Sequence, residues 1–137
     1  MSEFATSMNI AASGMSAQAQ RIKVIAQNIA NADSTGIGPG ADPYQRQVIS
    51  FKSAFDRAMG ADVVKVAGIT ADQTEFKTRF DPTHPAADAS GYVKLPNVNT
   101  VLETADLREA QRSYEASLAA MDLVKSMMAA TINSIRA

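Results

Sequence analysis

The sequence predicts a mainly α-helical protein with a small β-rich insert, in which long N- and C-terminal helices pair as an antiparallel coiled coil. Three observations predict this fold. Apolar residues recur at heptad spacing at both ends, both ends contain long uncharged stretches, and the middle is rich in Gly, Pro and β-branched residues. We therefore expect an axial coiled-coil part formed by residues 1–36 and 100–137, and a separate insert formed by residues 37–99.

The first predicted helix runs from about Phe4 to Asn31. One set of apolar positions, spaced by seven residues, is Met8, Met15, Ile22 and Ile29, and the companion positions are Phe4, Ala11, Ile25 and Ala32. Gln18 is the one polar interruption of this seam. Gly14 costs about 1 kcal/mol relative to Ala inside a helix, so we expect a reason for it, such as close approach of another helix. Residues 33–36 end the helix with turn-forming side chains.

The second predicted helix runs from Thr100 to Ala137 without Gly or Pro. The residues at heptad spacing are Leu107, Tyr114, Met121, Met128 and Ile135, with Leu118 and Ile132 at the intermediate position. At 1.5 Å per residue such a helix is roughly 50 Å long and needs a partner. Thr100 and Glu103 have the spacing of a capping box, in which each side chain accepts a hydrogen bond from the backbone N–H of the other residue.

Charge is unevenly distributed along the two helices. No residue between Phe4 and Gln20 is charged, and none between Ser126 and Ile135. Antiparallel pairing would bring these uncharged ends together and leave an apolar surface that marks an interaction site. We expect neighbouring subunits to bury it. The residues predicted to form this assembly interface, called the predicted interface set below, are Phe4, Met8, Met15, Ile22, Ile25, Ile29, Leu107, Tyr114, Leu118, Met121, Met128, Ile132 and Ile135.

The middle of the chain has the composition of short strands and loops. We expect strands at residues 44–51, 62–70, 75–80 and 92–95, and one or two helical turns at residues 53–59. The prolines at positions 82 and 85 place residues 81–85 in a loop. The insert is too small to form a core beyond a few strands.

Composition excludes several function classes. Lys and Arg (13) nearly balance Asp and Glu (14), so no nucleic-acid partner is expected, and the absence of Cys excludes thiol chemistry. No run of apolar residues is long enough for a membrane span, and no secretory signal peptide is recognisable. His84 is the single histidine, with Asp81 and Asp88 nearby, but a zinc site needs more ligands of suitable type. We expect no metal, cofactor or catalytic residue.

Three stretches resemble the axial proteins of the bacterial flagellum, and among them the proximal rod proteins. The N-terminal stretch reads ASGMSAQ (residues 12–18) followed by IAQNIANA (25–32), the middle stretch reads DPTHPAAD (81–88), GYV (91–93) and PNVN (96–99), and the C-terminal stretch reads RSYE (112–115) and KSMM (125–128). The resemblance spans nearly the whole chain, and the middle stretch is the specific one.

This resemblance implies a structural, non-enzymatic subunit of the basal-body rod, which assembles helically, encloses the export channel and transmits torque for motility. It implies four kinds of partner: other proximal and distal rod proteins, neighbouring copies, adaptor proteins of the MS ring and export gate, and the flagellar type III export apparatus. It also implies export from the cytoplasm by that apparatus to a periplasmic rod.

Two other functions are compatible with the residues alone. A stand-alone helical-hairpin adaptor or secreted effector would use the uncharged face to bind one protein partner. A small enzyme would use His84, although no second catalytic group is spaced to help it.

Overall fold

The computed structural model describes residues 2–137 and contains two long helices with two small sheets between them. The elements in chain order are α1 (Ser2–Ala30), β1 (Gln47–Asp56), β2 (Ala61–Ala71), β3 (Lys77–Phe80), β4 (Tyr92–Leu95) and α2 (Thr100–Arg136). β1 pairs with β2, and β3 pairs with β4 in antiparallel register, with Lys77 opposite Leu95 and Phe80 opposite Tyr92. The predicted order of helix, β-rich insert and helix is confirmed.

The prediction of helical turns at residues 53–59 is wrong, because β1 continues to Asp56 and a tight turn follows. The Asp56 carboxylate accepts hydrogen bonds from the backbone N–H groups of Ala58 (2.9 Å) and Met59 (3.3 Å). Gly60 completes the turn with a φ of 65°, a left-handed conformation that glycine adopts without steric cost. The result is a β1–β2 hairpin.

The predicted capping box of α2 is also wrong. Asn99 caps the helix, because its side-chain oxygen accepts hydrogen bonds from the backbone N–H groups of Val101 (3.1 Å) and Leu102 (3.4 Å). The Glu103 side chain is directed elsewhere, to a buried cluster described below. Asn at the N-cap competes effectively with Thr, and this leaves Glu103 free for a tertiary contact.

The chain divides into two compact units, and each contains parts of both helices and of the insert. Unit 1 consists of residues 1–22, 50–68 and 108–137, and unit 2 consists of residues 23–49 and 69–107. The buried apolar residues of unit 1 are Ala17, Val63 and Ala110. Those of unit 2 are Val24, Ile25, Ala86, Val93 and Val98, and this unit also buries the polar side chains of Asn28 and Glu103.

Candidate assembly surface

The predicted interface set is mostly half-buried in the single chain. Ile25 is buried, and two members on α2 are exposed, Leu118 at 41% and Ile135 at 80%. The half-buried members on α1 are Phe4, Met8, Met15, Ile22 and Ile29, and those on α2 are Leu107, Tyr114, Met121, Met128 and Ile132. The structure therefore leaves part of every one of these side chains except Ile25 available to another molecule.

Burial follows the heptad period along both helices. On α1 the positions with reduced exposure include 4, 8, 11, 15, 18, 22, 25 and 29, and on α2 they include 103, 107, 110, 114, 117, 121, 124 and 128. The sequence analysis missed the intermediate positions of α2, which are Ala110, Ser117 and Val124. It assigned Leu118 to this series because Leu118 is larger and more hydrophobic than the adjacent Ser117. The alternating spacing of three and four residues could have identified them.

Two contacts in unit 1 join α1 to α2. Arg21 forms an ion pair with Glu109, with 3.6 Å between Nη2 and Oε2. At Gly14, a Cβ atom would lie 3.2 Å from the hydroxyl oxygen of Ser117, closer than ordinary van der Waals contact. This close approach explains why Gly occupies a helix interior, and it confirms the reason predicted for Gly14.

Unit 1 exposes large apolar side chains on the stretches that carry no charge, or next to them. On α2, Leu123 is 61% exposed and Met127 51% exposed. On α1, Ile10 is also exposed, and so are Phe55 and Val64 of the β1–β2 hairpin. Because α1 has no charged residue from Phe4 to Gln20, nothing ionised on that stretch interrupts the apolar surface. Such surfaces are typical of proteins that are covered by partners.

Unit 2 is organised around the buried carboxylate of Glu103, which is 1% exposed. Arg46 donates a hydrogen bond from Nε to one carboxylate oxygen, and Asn28 donates from Nδ2 to the other at 3.3 Å. Arg46 also donates from Nη1 to Asp72, at 3.1 Å. A buried carboxylate is tolerated when a cation and further hydrogen bonds compensate its lost hydration, and this cluster supplies both.

Asn28 connects α1 to the start of β1 within the same unit. Its amide oxygen accepts hydrogen bonds from the Tyr44 hydroxyl (2.8 Å) and the Gln47 backbone N–H (2.9 Å). Its amide nitrogen donates to the Gln47 carbonyl at 2.9 Å as well as to Glu103. Every hydrogen-bonding position of the side-chain amide is therefore used. The cluster fixes the C-terminal turns of α1, the start of β1 and the first turn of α2 within unit 2.

The surroundings of the cluster shift the pKa values of three side chains. Burial, assisted by the charge of Glu103, raises the pKa of Tyr44 above its ordinary value. Burial alone would lower the pKa of Arg46, but the hydrogen bonds and charges of Glu103 and Asp72 outweigh it and raise that pKa. The backbone hydrogen bond from Thr74 lowers the pKa of Asp72, with further help from the Thr74 side chain and Arg46. The ion pair between Arg46 and Asp72 therefore stays ionised around neutral pH.

His84 stabilises a turn in unit 2. Its Nδ1 accepts a hydrogen bond from the Ala86 backbone N–H at 3.0 Å, and its own backbone N–H donates to the Asp81 carbonyl at 3.1 Å. The Asp88 carboxylate accepts from the backbone N–H groups of Ser90 (2.9 Å) and Tyr92 (3.0 Å). These side chains order the loop between β3 and β4, which gives the DPTHPAAD stretch a structural role.

Two further classes of feature are absent from residues 2–137. No helix there is both long enough and apolar enough to cross a membrane. No group of three or more His, Asp or Glu side chains in the same range is placed to hold a metal ion.

Comparison with known proteins gives full-length relatives. The family described as "Flagella basal body rod protein" matches residues 8–36, and "Flagellar basal body rod FlgEFG protein C-terminal" matches residues 89–135. The flagellar basal-body rod protein FlgC of Agrobacterium fabrum is 43% identical over 137 residues, which covers 100% of this chain and 99% of the relative. FlgC of Salmonella typhimurium is 40% identical over 124 residues, covering 90% of this chain and 92% of the relative.

A more distant relative shows the same relationship. FlgC of Bacillus subtilis is 36% identical, covering 89% of this chain and 91% of the relative. Identity of this level extends over nearly the full length of both chains in each comparison, and this shows the family. The chain belongs to the FlgC family of flagellar basal-body rod proteins.

Proposed function

We propose that the chain builds the rod by pairing α1 and α2 as an antiparallel coiled coil and burying the uncharged stretches of that pair against neighbouring subunits. The family membership gives the coarser statement. The chain is a structural subunit of the proximal rod of the flagellar basal body, it assembles with other rod proteins, and it is not an enzyme. The observation that carries the finer proposal is the exposed apolar surface of unit 1, with Leu123 and Met127.

The order of contacts supports antiparallel pairing. In unit 1, Arg21 pairs with Glu109 and Gly14 lies against Ser117. The residue numbers of the contacting positions therefore increase along α2 as they decrease along α1. In unit 2, Asn28 bonds to Glu103, which follows the same order. Both helices show reduced exposure at alternating spacings of three and four residues, the pattern of a coiled-coil seam.

The outer parts of both helices are weakly covered in the single chain. Neither residues 2–16 of α1 nor residues 111–137 of α2 include a fully buried side chain. Isolated helices of this kind are marginally stable in water, because most helical stability comes from tertiary packing. We therefore propose that these segments become fully ordered only when neighbouring subunits cover them, so that ordering is coupled to assembly.

Contacts of this kind suit a helical assembly. A surface that binds a different surface on the next copy produces an open assembly, unlike a closed dimer. The half-buried Met side chains of the seam, including Met8, Met15, Met121 and Met128, adapt to slightly different neighbours, because Met is flexible and polarisable. Torque resistance would come from many interhelical contacts acting together. The axial part would comprise residues 1–36 and 100–137, with residues 37–99 as the insert.

We propose a periplasmic location in the rod that encloses the export channel, reached by type III export from the cytoplasm. The proposed partners are neighbouring copies, proximal and distal rod proteins, the adaptor proteins of the MS ring and export gate, and the export apparatus. The family membership supports these placements. The thin burial of both helices supports passage as an unfolded chain, since little packing would have to be undone.

The proposal is tested by placing a charge on the exposed apolar face. Met127→Lys should leave the circular dichroism of the purified subunit unchanged, because the side chain is already 51% exposed. It should abolish swimming and rod formation in a strain lacking its own FlgC, because the ammonium group would be buried without a partner. Ala105→Lys is the matched control, an exposed position on the same helix within a charged stretch and outside residues 111–137. It should swim normally.

Normal swimming of the Met127→Lys strain would contradict the proposal. The behaviour of the purified protein on dilution distinguishes a rod subunit from a stand-alone adaptor. A folded monomer or closed dimer with fully protected outer helices at micromolar concentration would favour the adaptor, whereas loosely held outer helices favour the rod subunit.

A further inference from the structure

A groove of about 570 Å³, called the hairpin groove below, lies between α1 and the β1–β2 hairpin, wholly within unit 1. Its walls are uncharged polar side chains of α1 and apolar side chains of the hairpin, which include Ser13, Ser16, Gln20, Met59, Val64 and Val66. Val64 is 43% exposed, and no residue of α2 lines the groove. The chain's own second helix therefore leaves the groove open. Open surfaces of this size and character are typical of binding sites.

The hairpin groove also contains one acidic and one basic side chain, Asp56 and Lys65. Neither forms an ion pair with another residue in the range 2–137. Both turn hydrogen bonds to the Asp56 carboxylate go to Oδ1, so Oδ2 is available to a partner. Asp56 ends β1 at the turn, and Lys65 lies four residues beyond the start of β2. About 13 Å of strand therefore separates the levels of the two charges.

The exposed face of α2 presents a stripe with the complementary charges. Residues three and four positions apart lie on one side of a helix. Arg112, Ala116, Ala119 and Leu123 have these spacings and are all exposed, and Asp122 is exposed at the edge of the stripe. Among the described residues, neither Arg112 nor Asp122 forms an ion pair. About 15 Å of helix separates these two charges, close to the separation of the two charges in the hairpin groove.

We propose that the hairpin groove of one subunit binds the exposed stripe of α2 from a second copy of the chain. In this contact Arg112 pairs with Asp56 near the hairpin turn. Asp122 pairs with Lys65 at the other end of the groove. The proposal rests on the rod assembly proposed above, and it names the surface of the neighbour that covers the stripe.

The side chains between the two charges fit this contact. The alanines of the stripe allow the helix to approach the groove closely, and Leu123, which is 61% exposed, can pack beside Val64 and Val66. Because the groove and the stripe are different surfaces of the same chain, each bound copy leaves one of each free for the next copy. Such a contact extends into an open assembly.

Cross-linking between two versions of the subunit tests the contact in assembled basal bodies. The chain has no native Cys, so one version carries Val64→Cys and the other Leu123→Cys. When both are produced in a strain lacking its own FlgC, oxidation should give a product with twice the subunit mass. Neither version alone should give it. Ala67→Cys is the matched control for Val64→Cys, because it is exposed on the same strand but does not line the groove, and it should give no product.

Charge reversal tests the pairing of Asp122 with Lys65. Lys65→Glu and Asp122→Lys should each reduce the number of basal bodies per cell about tenfold or more, because each brings two like charges together. The double variant should restore the number to within about threefold of the wild type. Lys52→Glu is the matched control, an exposed hairpin position outside the groove, and it should stay within about twofold.

Absence of the cross-linked product, or a product whose mass is not twice that of the subunit, would overturn the proposal. A double charge variant that assembles no better than the single variants would overturn it as well. The swimming test of Met127→Lys separates this failure from a failure of the proposed function. Loss of swimming in that strain without the cross-link would leave the assembly surface in place and assign its cover to another molecule.

Normal swimming of the Met127→Lys strain would instead reject the assembly surface itself.

Discussion

Substitution of Arg46 should destabilise the protein more than substitution of its partner Glu103, because the two side chains differ in burial and in their number of partners. Among residues 2–137, Arg46 supplies the one cation that bonds to Glu103, and the Glu103 side chain is 2% exposed. The Arg46 side chain is 26% exposed and also pairs with Asp72 at 3.1 Å. Removing Arg46 leaves a buried carboxylate without its counter-ion. Neutralising Glu103 leaves a partly hydrated guanidinium that keeps a second carboxylate.

Arg46→Met should therefore lower the free energy of unfolding by about 3–5 kcal/mol, the usual cost of breaking a buried ion pair from one side. Glu103→Gln should cost less, about 1–3 kcal/mol, because the new amide is neutral and Arg46 retains Asp72. Replacing both residues by Met should recover much of the loss, since the uncompensated charge disappears. Adding the single variant Glu103→Met completes a thermodynamic cycle with Arg46→Met and the double variant.

The assay is urea unfolding of the purified subunit, followed by circular dichroism and by tyrosine fluorescence, because the chain has three Tyr and no Trp. Lys94→Met is the control. It breaks a pair with Asp42 in the same unit whose side chains are 42% and 69% exposed, and it should change stability by less than about 1 kcal/mol. A loss in Arg46→Met no larger than in Lys94→Met would refute the reasoning. So would a loss in Glu103→Gln as large as in Arg46→Met.

Three further predictions concern the helix contact and the titrating groups. Gly14→Val should destabilise the subunit by about 1–3 kcal/mol, measured by urea unfolding. A Cβ atom added at this position would lie 3.2 Å from the Ser117 hydroxyl oxygen, and the two methyl groups of Val would crowd the contact further. Since the folded pKa of Asp72 is lowered, its contribution to stability is complete above the unfolded carboxyl pKa and is lost as pH falls through the folded value. Asp72→Asn should remove that acid-side loss from unfolding curves. The raised pKa of Tyr44 acts at alkaline pH. The stability that Tyr44 contributes is complete below about pH 10, near the unfolded tyrosine pKa, and is lost as the pH rises through the folded pKa. Tyr44→Phe should abolish this alkaline loss from unfolding curves.

Periodicity was sufficient to predict the helices and most strands. Seven-residue spacing and the lack of internal Pro identified α1 and α2, the β-branched run at residues 62–70 identified β2, and the short extended piece before Pro96 corresponds to β4. The extension of β1 to Asp56 was missed, because a short Ala-containing segment is compatible with helix or strand until the Asp56–Gly60 turn is seen.

The cluster in unit 2 could not be read from local sequence. Glu103 stands three residues after Thr100, where a capping box is the ordinary interpretation, and Asn28 stands in a helix where solvent exposure is the ordinary one. Their hydrogen bond joins residues separated by 75 positions, and such a pairing has no local signature. One intermediate position of α2 differs from the prediction for a related reason: side-chain size favoured Leu118, whereas the smaller Ser117 is the residue that lies against Gly14.

The most direct test of the assembly account is a density map of the basal body in which residues 4–31 and 100–137 of this subunit are traced. The account predicts that side chains of neighbouring subunits cover Leu123, Met127 and Ile135, which are 61%, 51% and 80% exposed in the single chain. It also predicts that α1 and α2 of one subunit run antiparallel along the rod. Finding these three side chains in contact with solvent in the assembled rod would contradict it.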